Sequence, residues 1–457
     1  MKVRFLALKR QYRMTWNFHD NPHMNEVDVI ILGGGPAGIS AAIALGPKAV
    51  VLEQRRDVGG LTGSLQIEGA IFDIGGHSFH TPHLEVKELV FNALEMCQQQ
   101  REARCYYDGS MISYPFQKYF RDLPNPALVQ ECELGLKNAT GDGHAANAEE
   151  YLLAKFGAGI SKHFLLPYNR KLWGVDIKRL STDWIGQRVV AVGNVEQMIE
   201  TSSGERKPLQ DDTVIAYPVH GGFGEIIRAL TKLVHNIRLG AKVVHIDPAR
   251  KTLVTESGEI FLWQTLISTM PINELLRITN HVPLSLKKEA HSLEYLSLKL
   301  VLVVTKHPLK TEIQRIYTTE ANIPTHKIVI NHNSSDYLRA LPHHAIMGEI
   351  SCSSEKILRE KEIEALFVRN LIQIGVLEDA GEVLKTLVLD LKYGYPVPTL
   401  NRAAVVRRLK EWLGEHQIHS TGRFGEWAYI NSDEAIYRGL SLGRSIGGEG
   451  SGQSSRV

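Results

Sequence analysis

A glycine-rich turn after an apolar run constrains the fold of this chain more than any other feature. Val27-Asp28-Val29-Ile30-Ile31-Leu32 has the composition of a buried strand, and a Gly-x-Gly-x-x-Gly pattern follows it. In that pattern Gly33 allows the tight turn, Gly35 lets the backbone approach a pyrophosphate, and Gly38 lets the next helix pack on the strand. A phosphate placed there meets free N–H groups at the helix start. The pattern therefore predicts a Rossmann-type dinucleotide site.

The residues after this turn favour FAD over NAD as the dinucleotide. Val50-Val51-Leu52-Glu53 reads as the second strand, and Glu53 stands where an acid binds a ribose hydroxyl. Gly59-Gly60-Leu61 then looks like the second glycine pair of glutathione-reductase-like flavoproteins, which nicotinamide dehydrogenases do not usually carry. The predicted cofactor contacts in this part of the chain are Gly33, Gly35, Pro36, Ala37, Gly38, Glu53, Gly60 and Leu61.

Composition excludes several other classes of protein. The chain has 457 residues, enough for two or three domains, and its 52 basic and 50 acidic residues nearly balance. That balance argues against a general role on nucleic acid or a membrane surface, and no apolar run is long enough to span a bilayer. The four cysteines show neither CxxC pairing nor metal-ligand spacing. We therefore expect a reduced cytoplasmic protein without a structural metal.

The order of strand and helix patterns predicts an α/β fold. We expect a glutathione-reductase-like FAD-binding Rossmann domain, an inserted helical domain and an antiparallel substrate-binding sheet. The FAD domain is predicted to be discontinuous, because its segments interleave with the others. The predicted parts are a disordered leader at 1–25, the FAD domain at 26–83, 217–275 and 415–446, the helical insertion at 84–184, the substrate domain at 185–216 and 276–414, and a flexible tail at 447–457.

Four further motifs follow the glycine turn in a fixed order. They are Phe72-Asp73-Ile74-Gly75-Gly76-His77; Tyr114-Pro115-Phe116-Gln117; Pro167 to Gly174 with Trp184 to Val189; and Gly394 to Thr399 with Gly422 to Asp433. In this order they resemble the UDP-galactopyranose mutases, and the resemblance extends from Val27 to Gly443, nearly the whole chain.

This resemblance implies a flavin-dependent sugar-nucleotide mutase, an isomerase. The family interconverts pyranose and furanose forms of a nucleotide sugar on reduced FAD, without net redox change, through a covalent adduct between flavin N5 and the sugar. The implied partner is a nucleotide-diphosphate sugar such as a UDP-hexose. Some members take electrons from NADPH, so NAD(P)H is a candidate reductant, although no second glycine fingerprint is present. Whether the chain forms a homo-oligomer stays open.

The resemblance also assigns roles to individual residues. His77 is expected beside flavin N5, and Arg188, Tyr395 and Tyr429 are expected on the substrate diphosphate, where a guanidinium fork suits the leaving group. The implied substrate-binding residues are Tyr114, Phe116, Gln117, Tyr168 and Asn169 around the uridine, with Trp173, Tyr317, Lys327 and Asn431. The further implied flavin contacts are Gly76, Val243, Arg423 and Asp433.

The chain departs from the family pattern at several positions around the diphosphate and sugar. His326-Lys327 stands where the family has a second diphosphate arginine, Ser334 where it has an aromatic residue, and Arg315 where it has a tryptophan. A lysine supplies a point charge where an arginine supplies a fork. These changes leave the exact nucleotide sugar open. His80 and His83 follow His77 without an acidic or thiol partner at ligand spacing, and indicate a mobile loop beside the flavin more than a metal site.

Three alternatives stay open. The first is an enzyme with the same adduct chemistry on a different nucleotide sugar. The second is an amine-oxidase or protoporphyrinogen-oxidase-like FAD oxidoreductase, which shares the FAD fold but lacks the Tyr-Pro-Phe-Gln and Pro-Tyr-Asn motifs. The third is an inactive, flavin-bound sugar-nucleotide binder.

Overall fold

A computed structural model describes residues 24–141, 145–185, 214–352 and 360–448 of the chain. The strands within these residues are β1 (Met24–Leu32), β2 (Ala49–Glu53), β3 (Ser64–Ile67), β4 (Ala70–Asp73), β5 (Met96–Gln100), β6 (Ala103–Tyr107), β7 (Ser110–Ser113), β8 (Val214–Pro218), β9 (Ile237–Leu239), β10 (Val243–Asp247), β11 (Thr252–Thr255), β12 (Ile260–Ser268), β13 (Tyr295–Thr305), β14 (Arg315–Thr318), β15 (Lys327–Ile330), β16 (Ala345–Cys352), β17 (Val383–Pro396) and β18 (Ile418–Ser420).

The helices of the same residues are α1 (Pro36–Leu45), α2 (Leu84–Ala93), α3 (Phe116–Tyr119), α4 (Pro126–Lys137), α5 (Ala148–Ile160), α6 (Leu166–Trp173), α7 (Glu225–Thr231), α8 (Ile272–Ile278), α9 (Leu284–His291), α10 (Asp336–Arg339), α11 (Glu360–Gln373), α12 (Arg402–Glu415) and α13 (Ser432–Gly447). Among them, none is long and apolar enough to cross a membrane.

The first large sheet is built around parallel strands in the order β9-β2-β1-β12-β18. The antiparallel pair β10-β11 joins it through the first half of β12. The second half of β1, Val29 to Leu32, is apolar and buried on both faces, as a strand within a parallel sheet must be. The glycine turn follows β1 directly, at the carboxyl edge of the sheet. Ligands of such folds bind at that edge.

Helix α13 packs closely along α1, because glycines of α13 face it. A side chain at Gly439 would overlap the carbonyl of Ala37, and one at Gly443 would meet the carbonyl of Ala41 at 2.7 Å. Since later residues of α13 contact later residues of α1, the two helices run parallel. Both N-termini therefore point to the same side, and their positive dipole ends add there.

The second large sheet has the strand order β17-β13-β16-β15-β14-β6-β7. Neighbouring strands are antiparallel except for β14 and β6, which run parallel. Helices α3 to α6 pack on one face, where the buried core includes Phe116, Phe156 and Trp173. Helix α11 covers the other face through Phe367 and Leu371. The face that carries Tyr317, Lys327 and their strand neighbours opens onto the cavity described below.

The predicted class, an α/β fold with a Rossmann-type sheet, is confirmed by these elements. One detail of the prediction is wrong. The segment 84–184 is not helical throughout, since β5, β6 and β7 lie in it, and β6 extends the second large sheet through a parallel pair with β14. A hairpin at Asp108-Gly109, two residues with positive φ, joins β6 to β7. The domain boundaries stay predictions, and residues 1–23 lie outside the described residues.

Candidate active site

The turn after β1 forms a gap lined by two glycine turns. Gly33 has φ +107°, and Gly60 has φ +56°. A side chain at Gly35 would find only the Cα of Gly60, at 3.9 Å, and one at Gly60 would face Gly35 at 3.4 Å. Helix α1 begins at Pro36, so its first N–H groups have no partner within the helix and point toward this gap. An open cradle at a helix N-terminus fits the diphosphate of a dinucleotide.

Glu53 closes one end of the cradle. Its side chain is buried, and its two oxygens accept the N–H groups of Gly34 at 2.7 Å and Arg55 at 2.8 Å. Each oxygen keeps a lone pair for a further donor, such as a ribose hydroxyl. The carbonyl of Glu53 accepts the N–H of Ala241 at 2.9 Å, which brings the start of β10, and with it Val243, to this end.

The other predicted cofactor contacts lie near the opposite end. Arg423 donates from Nε to the carbonyl of Ile430 at 2.8 Å and lies over the ring of Tyr395 at 5.8 Å. Asp433 is buried in the first turn of α13. Arg423, Gly76, His77 and Leu61 all line one cavity. Their contacts with FAD stay predictions, but the geometry fits an extended dinucleotide that runs from Glu53 to this cavity.

The cavity has a volume of about 440 Å³ and lies between the Gly75-Gly76-His77 loop, the second large sheet and helices α3 and α6. It collects most of the residues that the sequence predicts for substrate binding. These are Tyr114, Phe116, Gln117, Tyr168, Asn169, Tyr317, Lys327, Tyr395, Tyr429 and Asn431. Residues from widely separated motifs therefore meet in one place.

An aromatic slot forms one end of this cavity. Phe116 stacks on Phe164 with ring centroids 4.6 Å apart, and Phe164 stacks on Tyr168 at 5.7 Å. Across the slot, Tyr114 stacks on Tyr317 at 4.7 Å. A π-helical turn at Ser161–Leu165 precedes α6 and aims Phe164 into the slot. Tyr317 meets Tyr168 edge-on, with an interplanar angle of 74°, so the slot has one stacked wall and a second wall that crosses it. An aromatic face that lines a cavity in this way suits a planar ring such as a nucleobase.

Asn169 adds a hydrogen-bonding group to the slot. Its residue is 3% exposed, and its Nδ2 donates to the carbonyl of Leu165 at 2.8 Å. With the amide oriented in this way, Oδ1 is the atom left to accept a hydrogen bond from a ligand. A pyrimidine such as uracil carries an N–H that matches this acceptor.

A buried carboxylate, Glu349 on β16, organises the floor of the cavity. It is 0% exposed. Its Oε1 accepts the Gly76 N–H at 2.8 Å and pairs with Lys327 Nζ at 2.7 Å, while Oε2 accepts the Tyr395 hydroxyl at 2.9 Å and lies 3.4 Å from His326 Nε2. Burial would raise the pKa of Glu349, but Lys327 and His326 outweigh it and hold the pKa well below its usual range. Glu349 therefore stays ionised.

This network bears on the role predicted for Tyr395. Burial raises the pKa of Tyr395 well above its usual range, so the hydroxyl is neutral and its proton is donated to Glu349. In this arrangement the hydroxyl cannot donate to a diphosphate. A contact of the predicted kind requires the hydroxyl hydrogen to turn from Glu349 to the ligand.

His77 is held by the loop in which it lies. Its Nε2 is 3.0 Å from the carbonyls of Leu61 and Ile74, and its ring stacks on Phe223 at 4.9 Å. Two carbonyl neighbours require the proton on Nε2, and burial lowers the pKa of His77. The ring is therefore neutral, with Nδ1 as an acceptor. This fits a residue beside a flavin, although that role stays a prediction.

Several predicted residues lie elsewhere. Trp173 is fully buried and does not line the cavity; it packs behind Tyr429 at 5.0 Å, so we reassign it to the supporting wall. Ser334 also lies outside the cavity lining, with its carbonyl bonded to Gln99 at 2.6 Å. Arg188 lies outside the described residues.

The two histidines that follow His77 separate in the structure. His80 lines the cavity, whereas His83 lies 2.9 Å from Glu434 and stacks on Tyr437 at the start of α13. They do not converge on a common point, as ligands of one metal ion would.

The charged side chains that line the cavity are positive. Arg101, Arg315, Lys327 and Arg423 line it, whereas no aspartate or glutamate lines it among the residues that the structure describes. Glu349 lies beneath Lys327 and neutralises that one cation. Such a cavity favours an anionic ligand over a cationic one.

Sequence reasoning missed Glu349. The signal was present, because an acidic residue inside the apolar run Ala345 to Ile350 is rarely buried without a partner. Its partners lie on other strands and on the glycine loop, so the run alone did not identify them.

The fold and the open glycine cradle fit a dinucleotide-binding protein of the flavoprotein type. The sequence matches the family of flavin-containing amine oxidoreductases over residues 36–396, most of the chain. The chain belongs to this family, and it is a flavin-dependent enzyme for which family membership supports FAD as the cofactor.

The individual relatives include a UDP-galactopyranose mutase and amine oxidases. A crystal structure of reduced UDP-galactopyranose mutase matches with a TM-score of 0.87 and 25% identity over 93% of this chain and 96% of that one. The putrescine oxidase of Kocuria rosea is 40% identical over 96 residues, 20% of each chain. Human amine oxidase B is 24% identical over 293 residues, 58% of this chain. The chain spans 20% and 54% of the lengths of these two curated relatives.

Proposed function

We propose that this chain is a flavin-dependent nucleotide-sugar mutase, which interconverts the pyranose and furanose forms of a UDP-hexose or a related nucleotide sugar. The observation that carries the proposal is the cavity itself. An aromatic slot for a base, a polar floor with an ammonium group, and three arginines line the same cavity beside the glycine-His77 loop. The likeness to reduced UDP-galactopyranose mutase over 93% of the chain supports it.

Each part of the cavity has a task in such a reaction. Phe164 and Tyr168 would stack the base, and Asn169 Oδ1 would accept its N–H. Lys327, whose charge is balanced by Glu349, would still donate a hydrogen bond to the diphosphate, because an ammonium has three donors and the ion pair uses one of them. That hydrogen bond would strengthen as the diphosphate leaves the anomeric carbon. The loop at Gly76, fixed by Glu349, would lie beside the ring system of the cofactor. Aromatic walls exclude water and orient the sugar.

FAD would lie from Glu53 across the cradle to this loop. When bound and reduced, flavin supplies the electron pair that displaces the diphosphate from the anomeric carbon, and no net oxidation is needed. NAD(P)H remains the proposed source of the electrons.

An amine oxidase is the second candidate, because the family match and the two curated relatives are amine oxidoreductases. The charge of the cavity disfavours it. A protonated amine would enter a site lined by Arg101, Arg315 and Arg423, with Lys327 balanced by Glu349 beneath it and with no lining carboxylate among the described residues. Like charges in a partly desolvated site oppose binding.

Two assays separate these functions. The dithionite-reduced holoprotein, incubated anaerobically with UDP-galactofuranose, is expected to form UDP-galactopyranose, whereas the oxidised holoprotein is expected to be inactive. Peroxide release in air with putrescine or benzylamine is expected to be absent. If the reduced protein converts no UDP-hexose and the oxidised protein releases peroxide with an amine, the proposal is wrong and the oxidase is right.

Arg188→Ala is expected to separate turnover from cofactor binding. Loss of a guanidinium that stabilises the leaving diphosphate should lower kcat by about a hundredfold. Flavin absorbance per chain should stay unchanged, because the predicted partner of Arg188 is the substrate. A parallel loss of bound flavin and activity would contradict this role.

A further inference from the structure

Arg315 carries a buried charge into the cavity. It is 5% exposed, and it donates from Nη2 to the carbonyl of His77 at 2.6 Å and from Nη1 to that of Gln314 at 2.8 Å. These bonds use two of the five N–H donors of a guanidinium. No carboxylate pairs with Arg315 in the part of the chain that the structure describes. A buried, unpaired charge is costly, and such sites commonly hold a counter-ion or ligand.

Arg101 lies beside Arg315. Arg315 on β14 pairs with Ala103 on β6, and Arg101 precedes Ala103 by two residues. Both arginines line the cavity, and Arg101 likewise has no ion pair among the described residues. Burial lowers the pKa of Arg315 and outweighs Tyr317 and Asp73, which raise it; the charge of Arg101 adds a smaller lowering effect. Two adjacent like charges repel each other, and an anion bound between them relieves that repulsion.

This arginine pair is separate from the floor that would hold the diphosphate. Lys327 lies opposite Tyr317 in the sheet, and Arg315 lies opposite Val329, two residues further along each strand. Two residues correspond to about 7 Å along a strand. Lys327 is already neutralised by Glu349, and Arg315 is held beside the His77 backbone, next to the loop where the sugar would lie.

We propose that Arg315 and Arg101 form a second anion subsite, which selects nucleotide sugars that carry a carboxylate on the sugar. A nucleoside-diphosphate hexuronate supplies that group, whereas an uncharged hexose gives the two arginines no anionic partner. The flat carboxylate matches the guanidinium fork, which can bind it through two parallel hydrogen bonds. This inference rests on the proposed function, since it concerns the sugar end of the same site.

Calorimetric titration of the FAD holoprotein tests the subsite through binding alone. UDP, UDP-galactose and UDP-galacturonate are titrated into the unaltered protein, Arg315→Gln, Arg101→Gln and, as a control, Arg407→Gln at an exposed helix position. We expect the unaltered protein and the control to bind UDP-galacturonate about tenfold more tightly than UDP-galactose. Each cavity variant should lose that preference and keep its affinity for UDP and its flavin content.

The outcomes separate this inference from the proposed function. If the protein binds UDP but binds UDP-galactose and UDP-galacturonate with equal affinity, only the subsite is overturned. If it binds none of the three probes, the result counts against the proposed function as well. Loss of flavin from Arg315→Gln would assign this arginine to the cofactor and overturn the inference. Arg101 is only partly buried, so its variant carries the test if Arg315→Gln does not fold. If Arg101→Gln keeps the full preference for UDP-galacturonate over UDP-galactose, Arg101 is not part of the subsite and the inference is wrong.

Discussion

Gly35→Val is expected to fold and to purify without bound flavin. Gly35 has φ −85°, which valine adopts without strain, and a side chain there meets only the Cα of Gly60 at 3.9 Å. The valine methyl groups would instead occupy the gap between the two glycine turns. That gap is the predicted place for the cofactor diphosphate, so we expect FAD affinity to fall at least about a hundredfold. Absorbance near the flavin maximum, per chain, measures the loss.

Two other glycines serve as comparisons for this variant. Gly414→Val on α12 meets no atom within 4 Å and should retain full flavin. Gly38→Ala should instead lower the stability of the fold, because its methyl group would overlap the Gly33 carbonyl. If Gly35→Val stays yellow at full occupancy, the cofactor diphosphate does not lie in this gap.

Glu349→Gln is expected to cause the largest loss of stability among single polar substitutions in the site. The change leaves the Lys327 ammonium, 15% exposed, without its partner, and weakens the bonds from Gly76 and Tyr395. Removal of one member of a buried ion pair costs about 3–5 kcal/mol. We expect the lower end of this range, because Lys327 borders the cavity and water can reach it. Urea unfolding at neutral pH measures the change.

A pH series gives this prediction a second readout. The folded-state pKa of Glu349 is depressed, so its contribution to stability is present above the unfolded value of about 4.3 and is lost as the pH falls through the folded value. The difference between the unaltered protein and Glu349→Gln should therefore be constant from pH 6 to 8 and shrink in acid.

A surface ion pair provides the control for Glu349. Glu68→Gln breaks a contact with Lys385, and both side chains are about half exposed, so it should leave the unfolding free energy unchanged within error. An equal effect of the two variants would show that Glu349 does not hold a buried charge network.

The cofactor half of the fold could be predicted because its signals are local. The glycines, the flanking strands and Glu53 lie within one short stretch, and each has a direct physical reason for its place. The same holds for the aromatic slot, where Phe116 and Tyr168 lie in compact motifs. The hairpin at Asp108-Gly109 has an equally local signal, but the prediction of a helical segment at 84–184 overlooks it.

The floor of the cavity could not be predicted in this way, because its contacts are long-range. Glu349 bonds to Gly76, 273 residues away, and no periodicity in either segment indicates this pairing. The hydroxyl of Tyr395 donates its proton to the same carboxylate, so it cannot donate that proton to a ligand in this arrangement. Likewise, the register of β14 and β6 sets Arg315 beside Arg101, and only the assembled sheet reveals that register.

Positional isotope exchange tests the proposed function most directly. UDP-galactose and UDP-galacturonate, each labelled with oxygen-18 between the anomeric carbon and the diphosphate, are incubated anaerobically with the reduced holoprotein, and phosphorus NMR follows the label. If the cavity releases the diphosphate from the anomeric carbon, the label moves to non-bridging positions for at least one substrate, and only with reduced protein. A label that stays in the bridge with both substrates would contradict the proposed function.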